Sequence, residues 1–266
     1  MLVIIVLLVA VFLALNMGIS GFSVSFAPSF GSNVLSKNKA ALLYGLCVVA
    51  GGCLIGPRVV ETLVKKISYT ELSLLSGGII IASSAITMFL SNALKVPQST
   101  SFVTVASFVG SGLFYGSVNW HTVGKILIFA MVFSVVSFIL TIFIKRKIYP
   151  PRHGNLGFYE NFFVHREKFK RFIIIHDMYA GFSVGTNNVA NVVAPLAGLS
   201  GMGNLFWLFI MSPFFGLGAF LAGDPRPFGY RHRAGGRSPR GGPLLRPGRR
   251  LRSPAQFRPA PQRIRH

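Results

Sequence analysis

Acidic residues are almost missing from this chain: 6 Asp+Glu stand against 27 Lys+Arg in 266 residues. No nucleophile–base pair and no metal-ligand spacing can be assembled from what remains, so enzyme chemistry has no support. Cysteine is equally scarce. Cys47 and Cys53 lie six apart in one predicted helix and therefore on different faces, which excludes a local disulfide or metal site. Charge of either sign is rare at 12%, while 52% of residues are hydrophobic and mean hydropathy is +0.58. A soluble nucleic-acid-binding domain does not have this composition; a membrane protein does.

What is present is apolar length. Residues 1–36, 40–57, 72–94, 126–144 and 178–223 carry no charge. A span needs about 20 residues of helix, so about six crossings plus at least one re-entrant piece are expected. The opening run lacks a basic start and a polar mature domain after a small-residue cleavage site, which marks a retained first span rather than a signal peptide. The basic segment 145–171 is expected to be a cytoplasmic loop.

The net charge of +21 is unevenly placed, with 12 of the arginines in residues 224–266. That segment also holds eight of the 15 prolines and cannot form a core. It reads as a disordered, non-homologous continuation of a second repeat interrupted after Gly223. A basic tail for anionic lipid or RNA is the other reading.

Polar side chains inside the uncharged runs are the informative exceptions. Thr186, Asn187, Asn188 and Asn191 lie within Gly185–Gly198, where each costs free energy unless it meets a partner or a wet cavity. Glycines and Pro195 predict a broken helix there. The first segment carries Ser20, Ser23, Ser25 and Ser29 around Pro28. It reads either as a second broken helix or as serines bonded back to their own helix carbonyls. Ser99, Thr100 and Ser101 follow Pro97 and open a short apolar run. They form a plain N-cap or an anion site at a helix N-terminus. Asp177 is the one acid beside the polar stretch. It is a candidate coupling-ion or proton site, or else an interfacial acid facing water.

The two polar stretches can be superposed. With Ala27-Pro28 placed on Ala194-Pro195, Gly31 falls on Gly198, Gly51 on Gly218, Leu54 on Leu221 and Gly56 on Gly223. Paired broken segments in two halves of a chain point to a transporter binding site.

These residues resemble the inorganic phosphate transporter (PiT) family of secondary permeases. Gly185-Thr-Asn-Asn-Val-Ala-Asn-Val-Val-Ala-Pro-Leu-Ala197 is similar to the family's repeated Gly-Ala-Asn-Asp-Val-Ala-Asn-Ala signature. Phe26-Ala-Pro-Ser-Phe-Gly-Ser32, Gly56-Pro-Arg-Val-Val60, Pro97-Gln-Ser-Thr-Ser101 and Val118-Asn-Trp-His-Thr-Val-Gly-Lys125 support it by their order. The resemblance covers 1–223. It implies an all-α polytopic membrane protein, an inverted-repeat transporter with broken helices and a re-entrant hairpin. Residues 1–144 form the first repeat and 172–223 the start of the second.

The resemblance further implies that Asn187, Asn188 and Asn191, with Thr186, Ser99, Thr100, Ser101, Ser20 and Ser23, hold the substrate. Asn188 or Asp177 would serve a coupling ion, Na+ or H+, with no other cofactor. Asn188 stands where the family has an aspartate; Ser20, Gly21 and Val24 stand at the first copy's Asn-Asp-Asn; Phe102 replaces a histidine. A changed coupling ion or a different oxyanion follows from those departures. The expected function is ion-coupled secondary transport of phosphate or a related oxyanion across the plasma membrane; an inactive or regulatory fragment of such a permease is the alternative. Expected partners are that anion, the lipid bilayer and further copies in a homo-oligomer, with no nucleic acid.

Overall fold

The long apolar runs become helices because nothing in them opposes helix, and the bends fall at Pro and Gly. The structure is a computed structural model, and it describes residues 1–67, 72–94, 96, 98–149, 154, 156–197 and 203–222. These fall within one unit, Met1–Pro227. The expected tail, the Pro97 turn and the partners Gly198 and Gly223 of the sequence repeat lie outside the described residues. The regular elements are helices: α1 (Leu2–Ser25), α2 (Ala27–Gly31), α3 (Lys37–Leu54), α4 (Gly56–Lys66), α5 (Leu74–Leu94), α6 (Thr100–Phe114), α7 (Trp120–Ile148), α8 (Leu156–Val164), α9 (Arg166–Val184), a π segment (Gly185–Val189), α10 (Ala190–Val193), a 3-10 turn (Ala194–Leu196) and α11 (Asn204–Leu221).

Four helices, α1, α5, α7 and α11, are long and apolar enough to cross a membrane, and α3 with α4 makes a fifth candidate bent by 55°. Among the described residues this is fewer than the expected six. The difference lies at α9, whose first two turns carry Arg166, Glu167, Lys168, Lys170 and Arg171. The chain after Pro57 and the segment 145–171 expected as a loop are both helical. The link after Pro57 is α4, with Pro57 in its first turn, Val60 and Leu63 buried, and Glu61 and Lys65 paired at 3.1 Å. The basic stretch 145–171 holds the end of α7, all of α8 and the start of α9.

The first polar segment breaks where Phe26 (φ −105°, ψ 8°) ends α1 and Pro28 opens α2. The serines do not cause the break. Ser20 donates to the carbonyls of Met17 and Asn16, Ser23 to Ile19 and Ser25 to Gly21. The second polar segment does not unwind, against expectation. It passes from α9 into the π segment, α10 and the 3-10 turn, so each change of pitch keeps the backbone in helical hydrogen bonds.

Packing is closest where glycine removes a side chain. α1 packs on α11, and α3 packs on α9 and the π segment. A Cβ at Gly18 would fall on the Phe215 backbone, and one at Gly185 on the Val48 backbone. A Cβ at Gly51 would strike the Phe182 carbonyl and the Thr186 N–H, and one at Gly218 the Leu15 carbonyl and the Ile19 N–H. Each contact recurs with its partners exchanged, at the residue offset that places Ala27-Pro28 on Ala194-Pro195. By contrast α7 buries only Val123; its apolar faces are open, as on a lipid-facing helix.

Gly185→Ala and Gly18→Ala are each expected to destabilise by about 1–3 kcal/mol through forced overpacking. Gly110→Ala, where a Cβ meets nothing within 4 Å, should be neutral. Thermal unfolding in detergent checks this; unchanged midpoints for both packed variants would mean that the helix backbones do not touch there.

Candidate functional site

Three elements converge on a cavity of about 250 Å³ lined by Ser20, Gly21, Val24, Gln98, Ser99, Thr100, Ser183, Val184, Asn187 and Asn188. At about 30 Å³ per water, that is space for a small polyatomic ion with some hydration. α1 supplies the first three residues, the entry to α6 the next three, and the α9–π junction the last four. Positions 20, 21 and 24 correspond in the sequence repeat to 187, 188 and 191. Residues from both copies therefore face one space, beside the close approach of Gly21 on α1 to Val184 at the end of α9.

The polar groups are mostly donors. Ser99 caps α6, its Oγ accepting the Phe102 N–H at 3.4 Å. Ser99 and Thr100 line the cavity, so the N-terminus of a 15-residue helix, the positive end of its dipole, borders it. Thr100 Oγ1 donates to Asn188 Oδ1 at 2.8 Å, which leaves the Asn188 Nδ2 hydrogens as donors. Asn187 Nδ2 donates to Ser101 Oγ at 2.7 Å. These two bonds tie the α6 N-terminus to the π segment. The π pitch presents neighbouring Asn187 and Asn188 to the same helix end. None of the lining residues carries a formal charge.

The sequence-derived candidates divide. Ser20, Ser99, Thr100, Asn187 and Asn188 line the cavity, and Ser101 supports it through Asn187. Ser23 faces an adjoining space of about 390 Å³ with Asn92 and Ser91. Thr186 turns away, its hydroxyl donating to the Ser183 carbonyl at 2.8 Å. Asn191 is buried off the cavity and its Nδ2 has no partner. Asp177 does not face water: it is 0% exposed, and its Oδ2 accepts the Ser29 N–H at 2.9 Å. Gln98 and Ser183 were not singled out by their sequence. Gln98, bonded by the Ser91 hydroxyl, borders three neighbouring cavities at once. Its place between a proline and a Ser-Thr-Ser cap was the available signal.

Comparison with known proteins agrees with this arrangement. A sulfate permease, CysP, of Bacillus subtilis is 32% identical over 229 residues, covering 82% of this chain and 60% of the permease. Inorganic phosphate transporter 2-1, chloroplastic, of Arabidopsis thaliana is 28% identical over 157 residues, 54% of this chain and 27% of that protein. The chain thus spans well under two thirds of the length of these relatives. A solved structure described as the sodium-dependent phosphate transporter shares the fold, with a TM-score of 0.62 at 17% identity over 84% of this chain and 76% of that one. A sequence profile of the phosphate transporter family, a family of transporters rather than enzymes, matches residues 17–225, and the chain belongs to that family.

Proposed function

We propose that this chain provides the anion-binding part of a multi-pass secondary permease for a tetrahedral oxyanion, phosphate or sulfate, coupled to a cation gradient across the plasma membrane. The observation that carries the reading is the single cavity lined by Ser20 and Gly21 from one copy and Asn187 and Asn188 from the other, closed by the α6 N-terminus. In this reading the two copies are paired repeats of a transporter, and α6, the short apolar helix after the span α5, is the re-entrant piece whose N-terminus lies at membrane depth.

The chemistry suits such an ion. A dianion in a low-dielectric site needs several donors, and the Asn187 and Asn188 amides and the Ser99 hydroxyl with the α6 N-terminus supply them. No lysine or arginine lines the cavity, so the ion is held by dipoles it can leave. Acceptors are limited to hydroxyl and amide oxygens. Sulfate is served by donors alone, whereas hydrogen phosphate must also place its P–OH on one of these oxygens. The sulfate permease and the phosphate transporters among the relatives are the two ends of this choice.

Binding of radiolabelled sulfate and phosphate to the purified chain, with uptake into proteoliposomes, tests the reading. Asn187→Ala and Asn188→Ala should each weaken binding about tenfold to a hundredfold, the effect of losing a hydrogen bond at a charged ligand. Unlabelled sulfate should compete with phosphate; unchanged binding in both variants would remove the cavity from consideration. Asn188→Asp puts a negative charge beside the anion. It should lower affinity at least about tenfold in sodium-free medium, with recovery when sodium is added. An affinity indifferent to that charge would place the anion elsewhere.

A further inference from the structure

Asp177 is a buried carboxyl with one oxygen in use. Oδ2 takes the Ser29 N–H, while Oδ1 has no hydrogen-bond donor. His176 Nδ1 lies 3.5 Å from Oδ1, beyond a good hydrogen bond but within reach of a small rotation, and the imidazole is 61% exposed. The elements around Asp177 bring no compensating charge. α1, α2 and the π segment contain no titratable side chain. α3 presents Tyr44 and Cys47 at Gly181, one turn along α9, and the buried Tyr44 hydroxyl is itself without a partner. Lys37 of α3 is spent on the Phe220 and Ala222 carbonyls, and Lys39 is exposed. On α8, Glu160 is exposed and Tyr159 donates to the Ile148 carbonyl. Among the described residues no lysine or arginine forms an ion pair with Asp177.

We propose that His176 and Asp177 form a proton-uptake site that is linked to occupancy of the oxyanion cavity. A hydronium ion protonates Nε2 of the exposed His176 imidazole and leaves as water, and the Nδ1 proton passes to Asp177 Oδ1. The Nδ1–H bond breaks and an O–H bond forms, leaving both groups neutral. A sodium ion needs several oxygens around it, whereas a proton needs only the one that is free. The position explains the linkage. Ser29 continues from α1, which carries Ser20 and Gly21, and Asp177 sits on the helix that continues to Asn187 and Asn188. The bond between them ties the two walls of the cavity on its far side. Protonation removes the charge assistance from that bond and loosens α2 from α9. It also removes a buried negative charge about 15 Å, ten residues of helix, from the arriving dianion. Proton and anion then favour each other's binding, reciprocally.

This inference rests on the oxyanion reading for its second half, and the experiment separates the two. Infrared difference spectra of the purified full chain between acid and neutral pH should show a carboxylic-acid C=O band that Asp177→Asn removes; adding sulfate at fixed pH should raise it. Asp177→Asn keeps an oxygen for the Ser29 N–H, so folding should survive. Sulfate is the probe for binding because its charge does not change near neutrality. Its affinity should rise by up to about tenfold per pH unit on acidification in the unmodified chain, the limit for one linked proton. In Asp177→Asn it should stay constant within about twofold. An unchanged pH dependence in that variant, or spectra with no band that it removes, overturns the proton site. A band that depends on Asp177 in a chain binding neither sulfate nor phosphate keeps the proton site and overturns the oxyanion reading.

Discussion

Backbone-to-backbone contact at glycine is the constraint on which the rest of this molecule depends. Between apolar helices in lipid there is little hydrophobic drive to associate, and close packing of small residues takes its place. Gly18 on Phe215, Gly185 on Val48, Gly51 on Phe182 and Gly218 on Leu15 are contacts that any Cβ would prevent. They come in exchanged pairs, so a single geometry is used twice. Its consequence is functional. The contacts hold α1 on α11 and α3 on α9 and the π segment, and Ser20 and Gly21 share one polar space with Asn187 and Asn188. Gly21 contributes to packing as well, since a Cβ there would meet the Tyr44 hydroxyl and Val184.

The cavity is polar without being charged, and this decides what it can hold and release. A fixed lysine would bind an oxyanion tightly in low dielectric and hold it there. Amide, hydroxyl and helix-end donors give a shallower well. Their directions are set by the bonds Thr100–Asn188 and Asn187–Ser101, so the donors are preorganised before a ligand arrives. The π segment makes this possible. In a regular α-helix Asn187 and Asn188 point about 100° apart; the wider turn lets both reach the same helix end.

Much of the frame was legible in the sequence because it rests on length and punctuation. The uncharged runs contain α1, α5, α11 and the middle of α7, and the end of the second run at Pro57 falls at the bend between α3 and α4. The cluster at Asn187 and Asn188 was visible as polarity where polarity is costly. What stayed hidden depends on three-dimensional partners. The π pitch has no distinct residue period, so a helix break and a helix bulge look alike in a string of Gly and Asn. Hydroxyls that bond to their own helix are indistinguishable in sequence from hydroxyls that would meet a ligand; Ser20, Ser23 and Ser25 all bond to their own helix, and Ser20 also lines the cavity. The neighbour of Asp177 is Ser29, a contact between residues 148 apart that no local pattern announces. Gln98 is a site residue only because three cavities meet at its side chain.

The position of the buried acid gives the cavity's neutrality a further meaning. A carboxylate among Ser20, Thr100 and Asn188 would attract a cation and repel the anion in the same few ångströms, so each occupancy would need the other. With amides at Asn187 and Asn188 and no side chain at Gly21, no residue lining the cavity carries a charge that would compete with the proposed oxyanion. The negative charge that remains is on Asp177, behind α2, where its hydrogen bond to Ser29 holds the two walls and its free oxygen meets His176. Separated this way, charge compensation no longer requires direct contact between anion and cation. It requires that the two helices move together, and the Asp177–Ser29 bond is the described hydrogen bond that connects α2 to α9 across the break at Phe26. The energetic coupling between the two sites can then be no larger than the change in that bond and in the field of one carboxylate, a modest coupling of the size usual between distinct sites, about 1–3 kcal/mol. On the proposed reading, a coupling of that size would bias a two-state carrier and still let the anion leave.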